Sequence, residues 1–175
     1  MDFIKFNEGE NMNKKYEFTG ETKEFYGITL KRIRAKISFG NVIKGEIGGW
    51  IEKEINLSHE GDCWVYDNAK VYNNAKVYDN AEVYDNAWVC GNAWVCGEAE
   101  VIKTRHIILF SKVGSRNDTL TAFRTKTGFS IKVGCFLGSL ELFLEKVKET
   151  HGDNKYAKEY RAIAEVIKIR FSEEN

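Results

Sequence analysis

Residues 65–100 read VYDNAK VYNNAK VYDNAE VYDNAW VCGNAW VCGEAE, six hexapeptides in register with no insertion. Val returns at positions 65, 71, 77, 83, 89, 95 and 101, and a small residue stands two places before each of them: Cys63, Ala69, Ala75, Ala81, Ala87, Ala93 and Ala99. A short fixed period of this kind marks a solenoid, in which each repeat buries its face against its neighbours only. A helix repeats every 3.6 residues and a strand every two, so a six-residue period suits short strands joined by tight corners. Val and the small residue, two apart, face one side, and the residue between them faces the other. The segment is expected to be a parallel β-helix.

Charge is balanced overall, with 26 Lys and Arg against 26 Asp and Glu, so the chain lacks the basic character of nucleic-acid binders and nucleic acid is not an expected direct ligand. The balance conceals a polarity. Residues 61–102 carry a net charge of −5 and residues 103–175 one of +5. A negative body joined to a positive tail favours association between copies, or with a partner of complementary charge. No apolar run approaches the roughly 18 residues of a membrane span, and the first residues do not resemble a signal peptide. Four scattered Cys fit a reducing compartment, so a cytoplasmic location is expected and no membrane partner.

The chain divides into four stretches. Residues 1–13 are polar and aperiodic, with Met12 as an alternative start, and are expected to be poorly ordered. Residues 14–60 contain strand-like runs, KKYEFTG and GITLKRIRAKISFG, then GEIGGWIEKE, where Gly48 and Gly49 are expected to form a turn at positive φ. Stepping back by six from Cys63 reaches Leu57 and Ile51, predicting degenerate repeats that cap the solenoid. Residues 61–103 hold the repeat. In 104–175 the period is lost, and RHIILFSKVG, TLTAFRTKTGF and SIKVGCFLG predict three strands. Ser139 is the expected N-cap of a helix ending near Gly152, and 155–171 predicts a second helix. This tail is a small α+β domain, marginal in size for folding alone, so it is expected to pack on something.

The VYDNAx run resembles the hexapeptide-repeat proteins, whose left-handed parallel β-helix is shared with trimeric acyltransferases. The stretch RIRAKISFGNVIKGEIGGWIEKEINLSHEGDCWVYDNAKV is similar to the opening of bacterial, prophage and phage hexapeptide proteins often labelled acetyltransferase or polymer-forming. The tail, with GSRND, TAFRTK, VGCFLG and KETHGDNKYAKEY, resembles a module appended to such proteins in phages and prophages. Together these resemblances cover most of residues 28–170. They imply that three repeats make one turn of a triangular prism, that copies assemble as a trimer, and that the partner is a host or defence protein in the bacterial cytoplasm.

With residues 18 apart stacked on one face, as the resemblance implies, the outward side chains sort themselves. Trp64, Glu82 and Glu100 share a face; Lys70 and Trp88 share the second; Lys76 and Trp94 share the third. After each Val, Tyr66 lies over Tyr84, Tyr72 over Cys90 and Tyr78 over Cys96. Aromatic residues pointing out of a prism are what buried interfaces display. Trp64, Tyr66, Tyr72, Tyr78, Tyr84, Trp88 and Trp94 are therefore the candidate interface, with self-association, cover by the chain's own terminal segments, and ligand stacking as the three readings.

The remaining chemistry is sparse. Cys90 and Cys96 occupy equivalent positions on different faces and diverge, so neither a disulfide nor a metal site is expected. The Asp and Asn of the corners are expected to serve their turns, where both tolerate left-handed φ. Acyltransferases that resemble this repeat place a His as general base between neighbouring prisms. Here His59, His106 and His151 all lie outside the strict repeat, and no cofactor motif is visible. In the tail, Arg116 and Asp118 in the turn SRND, with Arg124 in the next strand, are a candidate anion or partner site; the alternative is that Arg116 and Asp118 staple their own turn. The expected function is a non-enzymatic binding or scaffold protein, with an acyltransferase or an inter-subunit ligand-sequestering protein as the alternative.

Overall fold

A computed structural model describes residues 14–172, so the expectation for residues 1–13 lies outside the described residues. The structure is β-rich with two helices. It begins with β1 (Tyr16–Phe25), β2 (Ile28–Ala35) and β3 (Ile47–Ile51), then seven two-residue strands at six-residue intervals. These are β4 (Trp64–Val65), β5 (Lys70–Val71), β6 (Lys76–Val77), β7 (Glu82–Val83), β8 (Trp88–Val89), β9 (Trp94–Val95) and β10 (Glu100–Val101).

The short strands pair in parallel with partners 18 residues away: β4 with β7 and β7 with β10, β5 with β8, and β6 with β9. The result is several small parallel sheets around shared apolar side chains, an arrangement compatible with a β-helix-like fold. Every repeat Val and Ala from Val65 to Val101 is buried, and they form one core cluster. Each buried Val contributes about 1.5–3 kcal/mol, while Ala keeps the neighbouring position small enough for the chain to turn. Between strands the first corner residue adopts left-handed φ: Asp67, Asn73, Asp79 and Asp85 at 50–58°, then Gly91 and Gly97 at 67° and 61°. These are the residue types for which that conformation is least costly, and the corner expectation holds.

The N-terminal cap differs in register from the sequence expectation. Ile51 pairs with Val71 and Leu57 bridges to Val77, each 20 residues away rather than 18. Both side chains are buried in the core as predicted, but they occupy the Val position rather than the small one. Two additional residues between Leu57 and Val65 absorb the difference. Gly48 and Gly49 are also placed otherwise than expected, since they lie inside β3 and not in a turn. A Cβ on Gly48 would come within 2.6 Å of Trp64 Cζ2 and 2.7 Å of Ile33 Cγ1. They are glycines because β3 passes too close to its neighbours to carry a side chain. β1, β2 and β3 form an antiparallel sheet that continues into β5 and β8, so the N-terminal hairpin lengthens one face of the repeat.

The tail forms a four-stranded antiparallel sheet, β11 (Ile107–Val113), β12 (Asp118–Thr125), β13 (Gly128–Val133) and β14 (Phe136–Gly138), followed by α1 (Leu140–His151) and α2 (Lys155–Ser172). The run SIKVGCFLG, expected as one strand, is a hairpin of two, because Gly134 turns the chain at φ 53°. Ser139 caps α1 by accepting a hydrogen bond from the Leu142 N–H at 3.3 Å, as anticipated. β12 serves two cores by simple alternation. Leu120 and Ala122 meet Phe143, Val147 and Ile167 of the helices, whereas Phe123, with Ile107, joins the core of the repeat. The tail sheet thus closes one end of the repeat core, which an isolated solenoid would leave open to water.

Candidate functional site

The seven outward aromatic residues meet different fates. Trp64, expected at an interface, is completely buried, because Tyr16 and Phe39 of the N-terminal segment pack edge-on against it at 6.2 and 5.4 Å. Phe25 lies 4.9 Å from Trp88 and 5.7 Å from Tyr72, so the β1–β2 hairpin covers that face and Tyr72 is buried. Tyr66 and Tyr84 stack as foreseen, with centroids 4.4 Å apart and planes 5° from parallel. The Tyr66 hydroxyl donates to Glu82 Oε1 at 3.1 Å. Burial and the nearby Glu82 carboxylate push both phenols well above their ordinary value. Both phenols are therefore neutral at ordinary pH.

Trp94 is different. It is 41% exposed and stands over the seam where β9 meets the tail sheet, with its backbone N–H bonded to Thr121 Oγ1 at 3.2 Å. Tyr78 packs edge-on against it at 6.2 Å. The ammonium groups of Lys76 and Lys132 lie over its ring at 5.1 and 5.3 Å. Beside it opens a cleft of about 340 Å³, walled by Asn74, Lys76, Asn92 and Trp94 from the repeat and by Asp118, Thr119 and Lys132 from the tail. The structure therefore brings together Trp94 and Asp118, which sequence reasoning had placed in two separate candidate sites. Lys76 and Lys132 were missed as site residues. Lys76 was legible as the outward neighbour of Trp94 eighteen residues on, whereas nothing in the local sequence brings Lys132 to the repeat.

The tail residues do not form one site. Exposed Arg116 borders a second cavity of about 250 Å³ with Asp118, His151 and Tyr160. Arg124, grouped with them from the sequence, instead donates to the Phe171 carbonyl at 2.8 Å and lies over the Phe171 ring at 5.1 Å. It ties the last turn of α2 to β12, because Asp118 and Arg124 stand near opposite ends of an extended strand.

None of the three His residues borders the Trp94 cleft. His106 is buried, and its Nδ1 accepts from the Ile102 N–H at 3.3 Å. His59 stacks on Tyr16 at 4.2 Å with both ring nitrogens buried and without hydrogen-bond partners among the described residues. Burial lowers its pKa, with Lys14, Lys15 and Lys36 assisting and Glu54 opposing. A depressed folded value means that the neutral ring stabilises the fold fully above the ordinary value of about 6.5 and that this contribution is lost as pH falls through the folded value. Acidification from about pH 7 to about pH 5 should therefore lower the melting temperature, and His59→Phe should reduce that slope; equal slopes in the two proteins would refute the assignment.

Beneath the same cap, Lys15 is buried with its Nζ 2.8 Å from the Cys63 carbonyl, 3.3 Å from Cys63 Sγ and 4.7 Å from the Phe39 ring centroid. Burial pushes the lysine pKa down and the thiol pKa up, which makes the pair a plug for the core and leaves the thiol unreactive. Corner side chains stack as short ladders, Asn74 Nδ2 donating to Asn92 Oδ1 at 3.2 Å and Asn80 Nδ2 to Glu98 Oε1 at 2.8 Å. Among the described residues no helix is long and apolar enough to cross a membrane.

No family model matches the chain. A 66-residue stretch is 35% identical to the uncharacterized acetyltransferase YdcK of Escherichia coli (strain K12), covering 33% of this chain and 20% of that protein. The match thus spans about a fifth of that relative's length, and it hints at the hexapeptide-repeat proteins that the VYDNAx run resembles.

Proposed function

We propose that the chain is a non-catalytic binding module, a left-handed parallel β-helix of hexapeptide repeats that assembles as a homo-oligomer and holds its partner at the wall around Trp94. The observation that carries this reading is selective cover. The chain's own N-terminal segment covers Trp64 and Tyr72, yet Trp94 stays 41% exposed beside a cleft. An exposed Trp beside a cleft marks a recognition surface, because Trp is enriched where proteins bind their partners. The opposite net charges of repeat and tail supply an attraction between copies. The resemblance to phage and prophage hexapeptide proteins makes a bacterial host or defence component the proposed partner.

Light scattering at micromolar concentration tests the assembly, and a mass near the chain's own 20.1 kDa would sink it. Trp94→Lys should release a partner captured from bacterial lysate, whereas the triple change of His59, His106 and His151 to Asn should retain it. The second reading, acyl transfer, is favoured by the similarity to a protein named acetyltransferase. It requires one of these three His as general base, whose removal would reduce turnover by roughly 10²–10⁴-fold. Calorimetric binding of acetyl-CoA that vanished in the triple variant would establish that reading over ours.

A further inference from the structure

The cleft beside Trp94 is chemically lopsided. Lys132 is only 9% exposed, and its Nζ donates to the Gly134 carbonyl while lying over the Trp94 ring. Lys76 faces the same ring from the repeat. Neither ammonium has a carboxylate within ion-pairing distance among the described residues, although a buried Lys is normally paired. The one carboxylate of the wall, Asp118, accepts from the Thr119 N–H at 2.8 Å through Oδ1, and its single charge leaves the wall with a positive excess. Asn74 and Asn92, already bonded to each other at 3.2 Å, and the Thr119 hydroxyl add neutral hydrogen-bonding groups at the mouth. The volume of about 340 Å³ lies at the small end of ligand pockets, suited to a small molecule and too small for a folded segment.

We infer that this cleft binds a small organic oxyanion, a phosphate or carboxylate whose charged head meets the ammonium groups of Lys76 and Lys132 and whose flat apolar body lies against the exposed part of Trp94. Two ammonium groups held by one ring and short of anionic partners are pre-ordered for such a head, so little side-chain entropy is lost on binding. The indole then discriminates organic anions from bare inorganic ones, since it rewards only a ligand with an apolar surface to bury. This goes beyond the proposed function, whose partner is a protein meeting the exposed wall, and rests on it in one respect, that the site at Trp94 holds its ligand without transforming it.

Calorimetric titration of the full chain with inorganic phosphate, phenyl phosphate and benzoate tests the inference. Phenyl phosphate should bind more tightly than inorganic phosphate by about tenfold, and benzoate binding would show that the head need only be an oxyanion. Lys76→Gln with Lys132→Gln should weaken phenyl phosphate by about tenfold or more, and Trp94→Ala should abolish the advantage of the phenyl group. Because Lys132 is buried, Lys76→Gln alone serves as the second variant and should give a smaller loss in the same direction. No heat from any probe at millimolar concentration, or undiminished binding in the double variant, would overturn the site. Release of inorganic phosphate from phenyl phosphate would overturn the non-catalytic reading while leaving the oxyanion site standing.

Discussion

Trp64→Ala should lower the stability of the fold by about 3–5 kcal/mol, and Trp94→Lys, at a ring 41% exposed that holds two ammonium groups, by less, about 1–2 kcal/mol. The two tryptophans hold equivalent positions in the repeat, each immediately before a repeat Val. Their surroundings separate them. Trp64 is fully enclosed by Tyr16 and Phe39, with the close pass of Gly48 alongside, so removing its indole leaves a cavity beneath the N-terminal cap. Its Nε1 is buried without a hydrogen-bond partner among the described residues, so Trp64→Phe should cost less than Trp64→Ala by removing that orphan donor while keeping most of the ring. At about 2–4 °C per kcal/mol for a chain of this length, Trp64→Ala should lose roughly 10 °C in a thermal melt. Equal melting temperatures for the Trp64→Ala and Trp94→Lys variants would mean that the cap does not close over Trp64.

That contrast also shows which parts of the molecule the sequence makes legible. A repeat specifies its own packing, because Val71 meets Val89 and Lys76 meets Trp94 through a fixed 18-residue offset. Inward Val and Ala, corner Asp and Asn at left-handed φ, and the Tyr66–Tyr84 stack all follow from that period and its expected coil. What covers an outward side chain does not follow. Phe25 reaches Trp88 from 63 positions away and Tyr16 reaches Trp64 from 48, and neither covering residue stands in a periodic pattern. For the same reason Lys132 was invisible beside Trp94, and Arg124 was grouped with Arg116 although it bonds the end of α2. The helical hairpin was readable because its signals are local: Ser139 before an apolar stripe, and Gly152 after it.

The other large effect is expected at Gly49, where sequence reasoning saw a turn and the structure shows a strand. An alanine Cβ there would stand 2.6 Å from Val65 Cγ1, 2.8 Å from the Ala69 carbonyl oxygen and 2.9 Å from the Tyr66 carbonyl oxygen. Two of these three neighbours are backbone atoms of the repeat, which a rotamer change cannot move. Relief requires β3 to retreat from the corner that follows β4, and β3 is hydrogen-bonded there through Trp50 N–H to the Ala69 carbonyl at 2.9 Å. Gly49→Ala should therefore cost about 3 kcal/mol, at the upper end for overpacking, by loosening the join between the N-terminal hairpin and the repeat. Gly128→Ala is the matched control, also a strand glycine, with nothing within 4 Å of its built Cβ. It should be neutral within about 0.5 kcal/mol, or slightly stabilising by restricting the unfolded chain. Chemical denaturation of both variants reads the difference directly. Comparable midpoints would show that β3 can shift without penalty, and the close approach would then not be the reason that Gly stands at position 49.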